Sequence, residues 1–192
     1  MHLHKSVPTA LVILAITTGA ALAQQKGAPE SFTANLQATG GTAAGGAGAA
    51  TIQVNVQRYT PEADRNAVAS ALKSGGYAAF LTALKKAPEV GTVTFGEKKW
   101  PIRWAREQTT PKGRNIVVVT DQPIYFVGGG SIDAKPRAGY DVAVIQMFVD
   151  DVGLGNGTMA AAAKVKPGGE SGVEIEDYAD KPIKMVSVVR KF

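Results

Sequence analysis

The sequence predicts an α+β fold in which a mainly antiparallel β meander, barrel-like or sandwich-like, carries one two-helix hairpin after the second strand. Three observations support this fold class. Two strictly alternating strands come first, a stretch with helical periodicity follows, and from Val90 onward the strand-like segments are separated by turns too short for a crossover helix. We therefore expect antiparallel pairing within a single α+β domain of residues 29–192.

The first two strands show an alternation of period two. "SFTANLQ" and "TIQVNV" alternate apolar with polar residues from Phe32 to Gln37 and from Ile52 to Val56, which is typical of strands with one buried face. Segment 38–50 between them consists of Gly and Ala with two Thr residues. It predicts a flexible connection, or a loop that orders only against a partner.

A change of period after Tyr59 predicts the helices. Thr60-Pro61 is typical of an N-cap followed by the first helical position, and the first helix is expected to end at Gly75-Gly76. The next stretch, "YAAFLTALKK", places apolar residues at i, i+3, i+4 and i+7 from Tyr77 to Leu84 and stops before Pro88. Together these stretches predict a hairpin of two helices.

Strands return after Val90 as "VGTVTF", "WPIRWAREQ", "RNIVVVTD", "IYFVG", "YDVAVIQMFV", "GTMAAAAKV", "GVEIEDY" and "IKMVSVVRKF". Short separators rich in Gly, Pro and Lys are typical of hairpin connections. The strand "YDVAVIQMFV" is apolar on both faces, with Val142 and Val144 on one face and Ile145 and Met147 on the other. A strand of this kind needs a cover on each side, and the helices are the available cover.

Residues 1–23 have the layout of a secretory signal peptide, followed by a short linker at 24–28. Lys5 precedes an apolar run from about Ala10 to Leu22, and the small residues ending at Ala23 form a cleavage site. The run is shorter than the roughly 20 residues that a spanning helix needs. We expect an exported chain, periplasmic or extracellular after cleavage near Ala23, with no transmembrane segment in its mature form.

The scarcity of cysteine and histidine limits the kinds of catalysis that the chain could perform. The chain has no cysteine, and its only histidines, His2 and His4, lie in the signal segment. The mature chain would therefore lack thiolate nucleophiles, disulfides, imidazole bases and the common zinc ligands. Catalysis would fall to a carboxylate pair, to a lysine or tyrosine, or to a hard cation, and no cofactor is indicated.

Charge argues against a nucleic-acid partner. Of the 21 Lys and Arg residues only Lys5 lies in the signal, so 20 remain against 16 Asp and Glu residues, spread along the chain. A nucleic-acid binder more often concentrates its positive charge on one face. An acidic envelope polymer stays an alternative partner to a simply solvated surface.

The run "RYTPEADRNAVASALKSGGYAAFLTALKKAPEVGTVTF", with "GRNIVVVTDQPIYF" after it, resembles an uncharacterised family of secreted bacterial proteins. The resemblance covers the chain from about Ile52 to its C-terminus. It implies an exported bacterial protein, and it brings no activity, cofactor or catalytic residue with it.

The glycine triplet Gly128 to Gly130 raises the question of a phosphate-binding loop. Such loops require a helix that opens directly after the glycines, so that its amides point at the phosphates. The following "SIDAKPRAGYD" contains Pro136 and Gly139 and has no helical period, and the residues that flank a P-loop lysine are missing around Lys135. A connection between strands is the favoured interpretation.

Trp100, Arg103, Trp104 and Arg106 are the candidate binding residues. In "KKWPIRWAR" they could form an aromatic and basic platform for a sugar or a polyanion. On a regular strand, however, both tryptophans share one face with Ile102, which favours core packing, and Arg103 on the other face becomes a solvated cation.

Two sets of acidic residues are weaker candidates. Asp150, Asp151 and Asn156 could supply oxygen ligands to a calcium ion, but they lack the spacing of an EF-hand, so a polar hairpin turn is favoured. Asp121 is expected to cap a turn. The acidic residues between Glu170 and Asp180 alternate with Val173 and Ile175, which indicates a solvated strand face.

These observations favour a non-catalytic binding or interaction domain of the bacterial envelope or extracellular space. Its partner is unknown and is either a small apolar ligand inside the barrel or an envelope component. A continuous interior pocket would favour the first, and a filled core would favour a binding surface. The alternative is a carboxylate-based hydrolase acting on envelope polysaccharide, which requires two carboxyl groups from different strands in one cleft.

Overall fold

The computed structural model describes residues 28–37, 50–124, 137–169, 172–179 and 181–191. The proposed signal segment, residues 24–27 of the linker, residues 38–49 of the Gly/Ala segment and the glycine triplet Gly128 to Gly130 lie outside these ranges. The expectations about those segments stay predictions.

In the described ranges, eight antiparallel strands close into a barrel, and one further strand, β8, and one helix are added to its outside. Around the wall the order is β6-β5-β4-β3-β2-β1-β9-β7, and β7 pairs with β6 to complete the ring. The predicted α+β class with a barrel-like antiparallel sheet is therefore confirmed. The elements are β1 (Glu30–Gln37), β2 (Ala50–Val56), α1 (Glu62–Lys86), β3 (Gly91–Phe95), β4 (Lys98–Thr110), β5 (Gly113–Thr120), β6 (Val142–Val149), β7 (Leu154–Lys166), β8 (Glu174–Tyr178) and β9 (Ile183–Lys191).

The interior of the barrel is filled by apolar side chains from all eight wall strands. In β1 and β2 the residues predicted to point inward, such as Phe32 and Ile52, are fully buried, and their polar neighbours face out. Larger groups such as Trp100, Met147 and Met185 fill the space between the strands. The barrel is thus a packed core rather than an open container.

The helical segment differs from its prediction, because the chain forms one helical element and not a two-helix hairpin. α1 runs from Glu62 to Lys86 and is interrupted only at Gly76, whose φ of 71° and ψ of −166° are not helical. A hairpin of two helices needs a loop of roughly two to five residues. Here helical geometry resumes directly at Tyr77, so the glycine produces a kink.

The start of the helix also differs from the expected cap. No side chain within the described part of the chain caps α1, which follows Pro61. Thr60 is instead bound to β4: its amide donates to the carbonyl of Ala105 at 2.9 Å, and its hydroxyl oxygen accepts from the amide of Ala105 at 2.9 Å. The residue predicted to begin the helix therefore attaches it to the barrel.

The helix covers part of the outer wall and creates a second apolar cluster there. Val68, Leu72, Phe80 and Leu84 of α1 are buried against outward-facing residues of β4 to β7. Val142 and Val144 belong to this outer cluster, while Ile145 and Met147 belong to the interior. The prediction that β6 is covered on both faces is confirmed. Among the described residues, no helix is both long and apolar enough to cross a membrane.

A bulge in β4 changes which side chains face outward. The pairing with β5 shifts its register between Ile102 and Trp104. Ile102 points into the barrel, and after the bulge Trp104 points outward into the helix-covered cluster while Ala105 points inward. A bulge reverses the alternation of a strand in this way. Here it determines which side chains from Trp104 to Thr110 face inward and which face outward.

Strand β8 is not part of the barrel wall. β8 and β9 both pair with the same edge of β7, β9 along Leu154–Met159 and β8 along Ala163–Lys166. The β7–β8 turn packs against the helix, because a Cβ placed on Gly172 would lie 2.7 Å from the Cβ of Ala69. Only glycine fits that contact, which holds the turn beside α1.

Candidate functional site: a groove on the outer wall

The outer wall of β4, β5, β6 and β7 carries side chains in three rows that follow directly from the strand register. The apolar row is Trp104, Val119, Val144 and Ala160, and it lies under the helix. The mixed row is Arg106, Val117, Gln146 and Thr158. The amide row is Gln108, Asn115, Phe148 and Asn156.

The mixed row and the amide row form the floor of a groove of about 660 Å³. Its other side is lined by residues of the β7–β8 turn and of β8, including Val173, Ile175 and Tyr178. With strands about 4.8 Å apart, a row across four strands is about 14 Å long. The groove can therefore hold a chain-like ligand along several contacts.

Most polar groups on the floor face solvent. Asn115, Gln146, Asn156 and Thr158 are exposed, whereas Phe148 is half-buried between the flanking amides of its row. Each amide side chain offers both a donor and an acceptor. The backbone amides and carbonyls of the wall strands already pair with neighbouring strands. Side chains are therefore the groups that would bind a ligand in this groove.

The charges of the groove are balanced. Its lining contains one cation, Arg106, and one anion, Glu174, among the described residues. A site of this composition does not favour a strongly charged ligand of either sign. The chemistry it offers is neutral hydrogen bonding beside an aromatic ring.

A small cavity of about 60 Å³ lies beneath the helix, beside the groove, and we call it the helix cavity. Its walls are mainly apolar and include Phe80 and Leu84 of α1 and Val144 of the wall. The Trp104 indole also lines it, and the Trp104 Nε1 donor is buried with no hydrogen-bond acceptor among the described residues.

A second polar cluster, the mouth network, closes one end of the barrel. It consists of Tyr59, Glu30, Arg114, Glu107 and Arg190. Arg114 contacts both oxygens of Glu30 at 3.0 and 3.2 Å and Oε1 of Glu107 at 2.9 Å. Arg190 Nε lies 2.8 Å from Glu30 Oε2, and the hydroxyl of Tyr59 donates to Glu30 Oε1.

Burial and charge shift the titration of this network. Burial, followed by the hydrogen bond to Glu30, raises the pKa of Tyr59 well above its ordinary value. For Arg114, burial acts to lower the pKa, but the hydrogen bonds to Glu30 and Glu107 outweigh it and raise the pKa. Glu30 and Glu107 do come together from different strands, but a guanidinium lies between them, which is the arrangement of an ion-pair network.

A third polar contact joins the segment before β6 to β8. The hydroxyl of Tyr140 donates to Asp177, and the guanidinium of Arg137 lies 4.8 Å from the centre of the Tyr140 ring. This hydrogen bond raises the pKa of Tyr140 and lowers the pKa of Asp177. Both residues lie at the surface, outside the lining of the groove.

The structure separates the four sequence-predicted binding residues. Trp100 is buried inside the barrel, while Trp104 is buried on the outer wall, so the expectation that they share a face is wrong because of the bulge between them. Arg103 is not a solvated cation either, since its Nε lies 2.8 Å from the carboxylate of Asp121. Arg106 lies on the groove floor, on the same wall as Trp104.

The three candidate metal ligands lie in two places, the β6–β7 turn and the amide row. Asp150 Oδ1 accepts from the amides of Val152 and Leu154 at 3.1 and 2.8 Å, so this carboxylate closes the β6–β7 turn. Asp151 is exposed in the same turn, and Asn156 lies in the amide row. Within the described ranges, no three acidic, His or Cys residues group as a metal site would require.

Sequence reasoning did not find Asn115, Gln146 or Phe148, which the structure brings into the groove. In the sequence, each of these residues is an ordinary polar or apolar position of a predicted strand. Their alignment depends on the register of four strands, and the phase of β4 depends on its bulge. A polar residue facing out from an otherwise apolar strand, as Gln146 does in "VAVIQMFV", was the one available signal.

Comparison of the chain with protein-family models, with curated proteins and with solved structures gave no match. The resemblance to a family of secreted proteins therefore stays a prediction.

Proposed function

We propose that this protein is an exported, non-catalytic binding domain that holds a neutral polysaccharide chain of the envelope in the outer groove. The observation that carries the proposal is the amide row, in which Gln108, Asn115 and Asn156 are aligned with Phe148 across four strands. Amides that both donate and accept match hydroxyl groups, and an aromatic ring offers an apolar surface to the face of a sugar.

The packed interior supports a surface site over a small apolar ligand held inside the barrel. Side chains from every wall strand fill that space, and charged residues of the mouth network occupy one end of it. A ligand inside the barrel would have to displace well-packed core residues. The groove, in contrast, is open and has room for a ligand.

The balance of charge supports a neutral ligand. Arg106 and Glu174 offset each other in the groove, so an anionic polymer would gain little there. A hydrolase would need a second carboxyl group about 5 to 9.5 Å from the first. Glu174 is the only carboxylate among the described residues that line the groove.

The test is an amide NMR titration with soluble neutral tetrasaccharides, namely cellotetraose and chitotetraose. We expect shifts confined to the groove strands and β8, with at least one sugar binding. The Asn115→Ala, Gln146→Ala double variant should bind about tenfold more weakly, since a net hydrogen bond contributes about 0.5 to 1.5 kcal/mol and 1.4 kcal/mol is a factor of ten.

The matched control is Gln53→Ala, which removes an exposed glutamine from the outer face of β2, outside the groove. It should bind like the wild type. Shifts centred on the barrel interior, or no binding of either sugar, would overturn the proposal. Release of shorter sugars during the titration would instead favour the hydrolase.

A further inference from the structure

The helix cavity has two properties that together define a ligand group. Its walls, formed largely by residues such as Val68, Phe80, Leu84 and Val144, are mainly apolar, and the Trp104 side chain, whose Nε1 donor is buried, also lines it. The Trp104 residue is 3% exposed, and its indole N–H has no acceptor in the described part of the chain. A buried donor without a partner is costly, so an acceptor supplied by a ligand would be stabilised there.

The helix cavity adjoins the groove. Five residues line both spaces: Val117, Gln146, Val173, Glu174 and Ile175. A ligand lying on the groove floor can therefore extend a short branch beneath α1 without leaving the floor.

The size of the helix cavity limits that branch. One water occupies about 10 to 15 Å³ on a comparable measure, so about 60 Å³ holds a group of about four heavy atoms. The group must be apolar enough for the valine and leucine walls, and it must present one acceptor to the indole. An acetamido group meets both demands, since its methyl is apolar and its carbonyl accepts a hydrogen bond.

We propose that the helix cavity binds the N-acetyl group of an amino sugar, so that the ligand in the groove is an N-acetylated polysaccharide. This inference rests on the proposed function and names its substrate class. The carbonyl oxygen accepts from Trp104 Nε1, and the methyl group packs against Phe80, Leu84 and Val144. A glucose polymer lacks this branch and leaves the helix cavity unfilled.

The test compares chitotetraose with cellotetraose and follows the indole N–H signals of Trp100 and Trp104. A Trp100→Phe variant assigns the two signals, because the chain has only two tryptophans. We expect chitotetraose to bind at least tenfold more tightly, to move the Trp104 signal downfield and to slow its exchange with water. The Trp100 signal, from inside the barrel, should stay in place.

A Trp104→Phe variant keeps an aromatic ring and removes the donor. Its affinity for chitotetraose should fall about tenfold while its affinity for cellotetraose stays unchanged, and its thermal unfolding reports whether it is folded. Equal affinities for both sugars in the groove, with an unmoved Trp104 signal, would overturn this inference and leave the proposed function intact. Binding of neither sugar would overturn both.

Discussion

We expect the mouth network to stabilise the fold through its buried anion, Glu30. The Glu30→Gln substitution keeps the size of the side chain and removes its charge. The Glu30 side chain is 1% exposed and lies against two guanidinium groups, Arg114 and Arg190, and the hydroxyl of Tyr59. The substitution leaves two cations without their shared anion in a buried place.

Breaking a buried ion pair from one side costs about 3 to 5 kcal/mol. The lower end applies here, because the side chains of Arg114 and Arg190 are 12% and 28% exposed and Arg114 keeps Glu107. We therefore expect Glu30→Gln to lower the free energy of unfolding by about 3 kcal/mol. For a domain of this size, that corresponds to a fall of roughly 6 to 12 °C in the melting temperature.

The assay is urea unfolding followed by tryptophan fluorescence, with Glu176→Gln as the control. Glu176 pairs with Lys164 at 3.1 Å, but both side chains are more than 40% exposed, so its loss should cost at most about 0.5 kcal/mol. Salt at 1 M should erase the effect of the control substitution and leave most of the Glu30 effect. A loss of less than about 1 kcal/mol for Glu30→Gln would show that the fold does not depend on this buried anion.

Three further predictions concern titration, close packing and the helix. The pKa of Tyr59 is raised in the folded state. Its contribution to the free energy of unfolding is therefore complete below the ordinary tyrosine pKa of about 10 and is lost as the pH rises above that value. Tyr59→Phe should therefore flatten the alkaline fall of the unfolding free energy, measured by urea titration from pH 9 to about 11, whereas Tyr140→Phe at the surface should change it less. Gly155→Ala places a Cβ 1.8 Å from the Phe148 carbonyl oxygen and should cost about 3 kcal/mol in the same assay, a prediction contradicted by a near-neutral effect. Leu84→Ala removes a fully buried helix anchor and should lower stability by about 2 to 5 kcal/mol, and a loss below about 1 kcal/mol would show that α1 does not depend on this contact.

The parts of the fold that were predictable are those written into short stretches of sequence. The alternation in β1 and β2 correctly assigned Phe32 and Ile52 to the core, and the two apolar faces of β6 correctly implied a cover on each side. These patterns are local, because the side-chain period of a strand decides which residues share a face.

The bulge in β4 could not be predicted, because it depends on a distant segment. Trp100, Ile102 and Trp104 look like a regular alternation, yet β3 pairs with β4 only as far as Ile102. Beyond that point Thr60 takes over the β4 edge through its two hydrogen bonds to Ala105. The sequence of β4 contains no pattern that indicates this change of partner. The outward direction of Trp104, which results from it, was therefore not predictable either.

The candidate site was even less accessible to sequence reasoning. Gly75-Gly76 correctly indicated where the helix is interrupted. The sequence did not indicate that the helix resumes at Tyr77 and that Phe80 packs against the outer wall. Likewise Asn115, Phe148 and Asn156 come from three strands and become neighbours only through the registers of β5 to β7. The groove is a property of long-range pairing, whereas Trp100 and Arg103 attracted attention through composition alone.

The closure of the barrel by β1 and β9 has a consequence for the order of folding. Ser31 pairs with Lys191, so the first and the last described strands are direct neighbours in the wall. Contacts between distant parts of a chain form late, because the loop between them must first close. A chain emerging N-terminus first therefore keeps β1 with an unpaired edge until residues 183–191 have been made, which delays completion of the native barrel until β9 is available.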